Sequence, residues 1–201
     1  MIATANPNES KLISLTIVLK ETNPKVWRRV LLPANATLGD LHDVIQSVMP
    51  WFDYHLHGFL VGDHHYGVPN PEFDMECDPV FEEQDVLLAE VFSEDRKRIE
   101  YMYDFGDGWD HVIKVDGFEE PEEGGVYPVC VAGENACPPE DSGSTFGYYE
   151  KLRIMQDPSH PMQAEVAGWM PPDFDSQAFD VDEANAMIRF NAGEIDEDDE
   201  E

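Results

Sequence analysis

Polar and apolar residues alternate at the start of the chain, where Ile13, Leu15, Ile17 and Leu19 fall on one side of KLISLTIVLKE. That period of two is the mark of a half-buried strand. Asn23-Pro24 breaks it, and KVWRRVLLP resumes the alternation with Val26, Arg28, Val30 and Leu32 on one face, so the two segments form a hairpin. The period then changes. Thr37 followed by Asp40 is a capping-box variant, and Leu38, Leu41, Val44, Ile45 and Val48 recur at helical spacing until Pro50.

Beyond it, HLHGFLVG and HHYG read as short strands about a Gly62-Asp63 turn, and residues 68–85 as polar, proline-marked loop. VLLAEVF suits a helical turn. RKRIEYMY and DHVIKVDGF form a second hairpin around DFGDGW. Three helices close the chain, over about 145–156, 160–169 with Ser159 as cap, and 181–190 with Asp180 and Glu183 as cap.

Strands first and helices late predict an α+β fold. The N-terminal sheet is mixed or antiparallel with one packed helix, in a β-grasp-like order, and helices cluster at the C-terminal end. Residues 1–9 read as a flexible arm, 10–193 as one domain and 194–201, EIDEDDEE, as an acidic disordered tail.

Charge narrows the partners. Twelve basic residues stand against 43 acidic ones, a net charge of −31. The excess is not spread evenly, since Lys11, Lys20, Lys25, Arg28 and Arg29 balance Glu9, Glu21, Asp40, Asp43 and Asp53 in the first sixty residues. A polyanion repels phosphate backbones, which argues against direct nucleic-acid contact. Any such contact would fall to Arg28 and Arg29. A protein partner fits better, and an acidic DNA mimic is a further alternative. No apolar run approaches the roughly 20 residues of a membrane span, and MIATANPNES lacks the form of a secretion signal, so the expected location is cytoplasmic. Three cysteines, Cys77, Cys130 and Cys137, are too few for a disulfide scaffold.

Candidate chemistry gathers at three places. His55 and His57 lie two apart on a strand and could face one ligand; His42, His64 and His65 are nearby. The hairpin tip carries Asp104, Asp107, Trp109 and His111, which could bind a hard cation or act as acid and base, or simply shape the turn. Cys130-x6-Cys137-Pro-Pro-Glu140-Asp141 is wider than the two-to-four spacing of structural zinc pairs, and no second Cys/His pair follows. A nucleophilic cysteine with His111 as base, or two buried thiols, would serve the same sequence. No phosphate loop, nucleophile elbow or zinc-protease motif is present.

Five stretches, PKVWRRVLLP, TLGDLHDVIQSVMPW, HLHGF, YMYDFGDGWDH and YPVCVAGENACPPED, together resemble the plasmid pRiA4b ORF-3-like family over about residues 12–190. The resemblance implies a single α+β domain without an established activity. Some relatives carry resolvase or repressor labels, but this chain has neither a helix-turn-helix nor a recombinase serine signature. Ser142 stands where the family often has a third cysteine.

These observations make a non-enzymatic binding or interaction module the leading expectation, with a metal-dependent hydrolase or nuclease as alternative. The partner-binding candidates are Asp104, Asp107, Trp109, His111, Glu140 and Asp141. If a divalent metal is held, its candidate ligands are His55, His57, His111, Cys130 and Cys137.

Overall fold

The computed structural model describes residues 11–70 and 79–193. The arm at 1–9, the acidic tail and Cys77 lie outside these residues. Among the described residues eight strands form one sheet: β1 (Leu12–Leu19), β2 (Trp27–Pro33), β3 (His57–Val61), β4 (His64–Gly67), β5 (Val80–Glu82), β6 (Arg98–Tyr103), β7 (Trp109–Glu119) and β8 (Val129–Glu134). Their spatial order is β5-β4-β3-β6-β7-β1-β2-β8. Every neighbouring pair is antiparallel except β4 with β5. The fold is therefore α+β, with a mixed sheet in the first two-thirds and helices toward the end.

Helix α1 (Leu38–Val48) begins as its sequence requires. Thr37 Oγ1 accepts the Asp40 amide at 3.1 Å, and the Asp40 carboxylate accepts the Thr37 amide at 2.7 Å. Its apolar stripe joins Ile13, Leu15, Ile17 and Leu19 of β1 in one core that runs on to Ile188. A short α2 (Leu88–Val91) follows β5. Helices α3 (Ser144–Met155) and α4 (Gln163–Trp169) share a small cluster of Ile154, Val166 and Met170. Helix α5 (Val181–Asn191) packs on α1 and β8, capped by Asp180 Oδ1 accepting from Asp182 and Glu183.

The structure corrects the expected elements in three places. Residues 129–134, to which the sequence pattern assigned no element, form edge strand β8, and Asn185 of α5 exchanges two hydrogen bonds with the Cys130 backbone, covering that free edge. Val80–Glu82 and the 3-10 turn Glu83–Asp85 add structure to the stretch read as loop. Ser159 does not cap α4. Its amide and hydroxyl both bond Asp157, closing a local turn, and the helix starts later at Gln163.

Arg28 is also corrected. The alternation of β2 carries it inward, to 1% exposure, where it donates to Val48, Trp27 and Glu134 carbonyls and lies over Phe179. It ties β2 to the end of α1 and to β8, so it has no surface from which to touch a nucleic acid. Among the described residues no helix is long and apolar enough to cross a membrane.

Candidate functional site

Three loops meet at one end of the sheet: residues 50–56 after α1, the β6–β7 tip at 104–108, and residues 135–143 after β8. Tyr103, the last residue of β6, sits at their junction. Its hydroxyl accepts the Tyr54 amide at 3.0 Å and donates to the Glu140 carboxylate. Burial and that anionic neighbour raise the phenol's pKa, so it remains a donor. Glu140 also accepts the Phe52 amide at 3.0 Å, and Trp51 Nε1 donates to the Pro138 carbonyl at 2.9 Å. On the other side, Asp107 Oδ2 accepts the Gly143 amide at 2.8 Å. The Asp104 amide bonds Leu56, while Asp104 Oδ1 accepts the amides of Gly106 and Asp107, an Asx-type turn.

Asp53, Asp104, Asp141 and Ser144 all have positive φ, between 56° and 65°. Left-handed backbone costs non-glycine residues about 1 kcal/mol each, and four such residues in one loop cluster is a concentration of strain typical of functional surfaces.

Inside this ring of bonds His55 Nε2 lies 3.3 Å from Asp141 Oδ1 and 3.8 Å from Asp104 Oδ2. Outside it, five large apolar side chains, Phe52, Tyr54, Leu56, Phe105 and Phe146, are 58–81% exposed. Four sit on the first two loops and Phe146 is in the first turn of α3. The sequence reading missed these residues. Its available signal was FDYHL, where apolar and polar residues alternate outside any strand.

The loops thus bring together Asp104, Asp107, Glu140, Asp141 and His55. Trp109 and His111 do not belong with them, a correction with a simple cause. They alternate with Ile113 on the inner face of β7, so Trp109 is 1% and His111 0% exposed, and neither can meet a partner. His111 packs edge-on to Trp51, and burial pushes its pKa down to about 3.

The five metal candidates do not converge either. Three strand steps, about 14 Å, separate His111 on β7 from Cys130 on β8. Cys130 and Cys137 are buried beside Arg28, and burial raises both thiol pKa values, which suits packing rather than nucleophilic attack. Among the described residues no three-ligand cluster contains a cysteine or His111. Ser142, at the position of the family's frequent third cysteine, is wholly buried with its hydroxyl on the Pro139 carbonyl.

His57 belongs to a separate, internal cluster. Its Nε2 faces Glu83 at 2.9 Å, and its ring stacks on that of His42, whose nitrogens meet Tyr101 Oη at 2.8 Å and Asp53 Oδ1 at 3.1 Å. His42, Asp53 and His57 place potential ligand atoms within 4.8 Å of one another. The stack nevertheless fits a shared ion poorly. A metal must lie in the plane of each imidazole it binds, and any point midway between near-parallel rings lies well out of both planes.

A crystal structure of MM3350 from Methanosarcina mazei, a protein of unknown function, matches with a TM-score of 0.79 at 35% identity, covering 86% of this chain and 96% of that one. The uncharacterised protein y4hQ of Sinorhizobium fredii is 34% identical over 180 residues, 89% of this chain and 91% of its own length. The profile of plasmid pRiA4b ORF-3-like proteins matches residues 11–183, and by that match the chain belongs to the plasmid pRiA4b ORF-3-like family.

Proposed function

We propose that the protein is a non-enzymatic binding module that grips a basic, partly apolar segment of a protein partner at the three-loop end of the sheet. One observation carries this: five large apolar side chains stand exposed on the loops and helix turn that surround a cluster of carboxylates. Exposed apolar residues scattered singly need no explanation, but a group around a polar centre marks an interaction surface. Asp104, Asp107, Glu140 and Asp141 give that surface its sign, and the chain's net charge of −31 would steer a cationic partner toward it. The bonds through Tyr103, Glu140 and Asp107 hold the loops in place beforehand, which lowers the ordering cost of binding. His111 and the two buried thiols, candidates for hydrolytic chemistry, are packed away from this surface.

Selection of displayed peptides against the full chain at 150 mM salt tests the proposal. Peptides combining Lys or Arg with aliphatic or aromatic residues should be enriched. Phe52→Ser and Phe146→Ser should each weaken their binding at least fivefold at unchanged protein charge, and Asp141→Asn should weaken it too. Enrichment of polybasic peptides that bind the Phe→Ser variants equally well would reveal nonspecific attraction to a polyanion and overturn the proposal, as would enrichment of nothing.

A further inference from the structure

We infer that His55, Asp104 and Asp141 form a site for a borderline divalent cation, Zn²⁺ or Mn²⁺. The three residues come from three different loops, and their ligand atoms lie within 4.8 Å of one another. His55 Nε2 stands 3.3 Å from one carboxylate oxygen and 3.8 Å from the other. Those separations are long beside the roughly 2.9 Å of an N–H···O bond. The 3.3 Å separation matches the spacing of neighbouring ligands around a tetrahedral ion, about 3.4 Å when each bond is about 2.1 Å, and the 3.8 Å separation is a few tenths of an ångström wider. The nitrogen is shielded from solvent and makes no hydrogen bond with either oxygen.

The carboxylates strengthen the case. Asp104 is only 10% exposed at its side chain, yet among the described residues no lysine or arginine pairs with it or with Asp141. Its two oxygens divide their work. Oδ1 is held by the Gly106 and Asp107 amides, and Oδ2, with no hydrogen bond among the described residues, lies 3.8 Å from His55 Nε2. A ligand oriented by bonds to its other oxygen is the usual second layer of a metal site. Two facing carboxylates and a neutral imidazole offer two negative charges to a dication, and an N,O,O donor set suits zinc or manganese. Three protein ligands leave a coordination position open.

The site shares Asp104 and Asp141 with the docking surface, and Phe52→Ser separates the two, because Phe52 takes no part in coordination. Untagged full-length protein, stripped with a chelator, would be titrated with Zn²⁺ and with Mn²⁺ in 150 mM salt and excess Mg²⁺, which masks diffuse binding to a polyanion. One equivalent should bind at micromolar or tighter affinity. Asp141→Asn, a surface change that leaves folding intact, and His55→Gln should each weaken binding at least tenfold, while His57→Gln and Phe52→Ser should bind like the parent. Absence of a 1:1 event would overturn the inference. So would a 1:1 event that survives both substitutions or disappears in His57→Gln, which would move the ion to the stacked pair.

Discussion

His42 and His57 stack face to face, their ring centroids 3.4 Å apart and their planes 9° apart. Burial, with the neighbouring His57 ring, holds His42 down at about 3, and burial, with a smaller push from the Lys20 charge, does the same to His111. An ordinary histidine titrates near 6.5. The unfolded chain therefore binds these two protons first as pH falls. Stability from keeping the rings neutral is complete above about pH 6.5 and is lost progressively toward pH 3, at up to about 1.4 kcal/mol per pH unit for each ring. Asp43 and Asp53, whose pKa values burial raises, work in the opposite direction within the carboxylate range. Denaturant midpoints at pH 7, 6 and 5 should fall with pH, and His111→Phe should fall less steeply whatever its stability at pH 7. An unchanged slope in that variant would remove His111 as a contributor.

Arg28 and Arg29 are neighbours in sequence with opposite roles. Arg28 supplies donors to three backbone carbonyls, one of them in the last turn of α1, where a cation also suits the helix dipole. Arg28→Ala would leave those carbonyls buried without their donor and should cost about 3–5 kcal/mol. Arg29 pairs with Asp116 at 3.2 Å on the open face of the sheet, so Arg29→Ala should cost about 0.2–1 kcal/mol. Chemical denaturation of the two variants separates the roles, and equal losses would contradict them.

The sheet was largely legible because strands buried on one face must alternate. Val26, Arg28, Val30 and Leu32 were placed together correctly, yet Arg28 on that face was still named with Arg29 as the carrier of any nucleic-acid contact. The same parity argument, applied to Trp109, His111 and Ile113, would have sent Trp109 and His111 inward. Strand β8 was hidden for a different reason. An edge strand is held through its backbone, and Val129–Glu134 carries mixed side chains and Gly133, so its sequence shows no period. The meeting of the hairpin tip with the loop at 139–143 was signalled by the density of aspartates and prolines. Which side chains face solvent there depends on left-handed turns at Asp53, Asp104 and Asp141, and no periodicity encodes those.

Asp104 should be sensitive to chemistry more than to size. Its φ of 56° suits Asn nearly as well as Asp, and an Asn carbonyl can still accept the Gly106 and Asp107 amides. Asp104→Asn should therefore cost under about 1 kcal/mol, while Asp104→Ala loses both bonds and keeps the strained backbone, costing about 2–3 kcal/mol. Thermal denaturation compares them. Equal stability of the two variants would mean that the turn does not depend on this carboxylate.

Gly147 sets two effects of opposite sign against each other. It lies inside α3, where alanine is better than glycine by about 1 kcal/mol. A methyl group there, however, would stand 2.2 Å from the Ser142 carbonyl oxygen and 3.1 Å from its carbon. Those are backbone atoms, and the same oxygen accepts the Lys151 ammonium at 2.7 Å, so it has little room to retreat. The contact is far shorter than real Cβ contacts allow, and overpacking of this kind costs about 1–3 kcal/mol. The clash should win. Gly147→Ala is expected to destabilise the protein by up to about 2 kcal/mol and to loosen residues 139–146 in particular, because the helix start must move away from the Pro139–Ser142 turn and carry Gly143 off Asp107 Oδ2. Hydrogen exchange should show faster amides at 142–146 with the strand amides of β1 and β7 unchanged. A stabilised variant with unaltered exchange would show that the turn shifts freely, and the loop cluster would then be far less rigid than its hydrogen bonds imply.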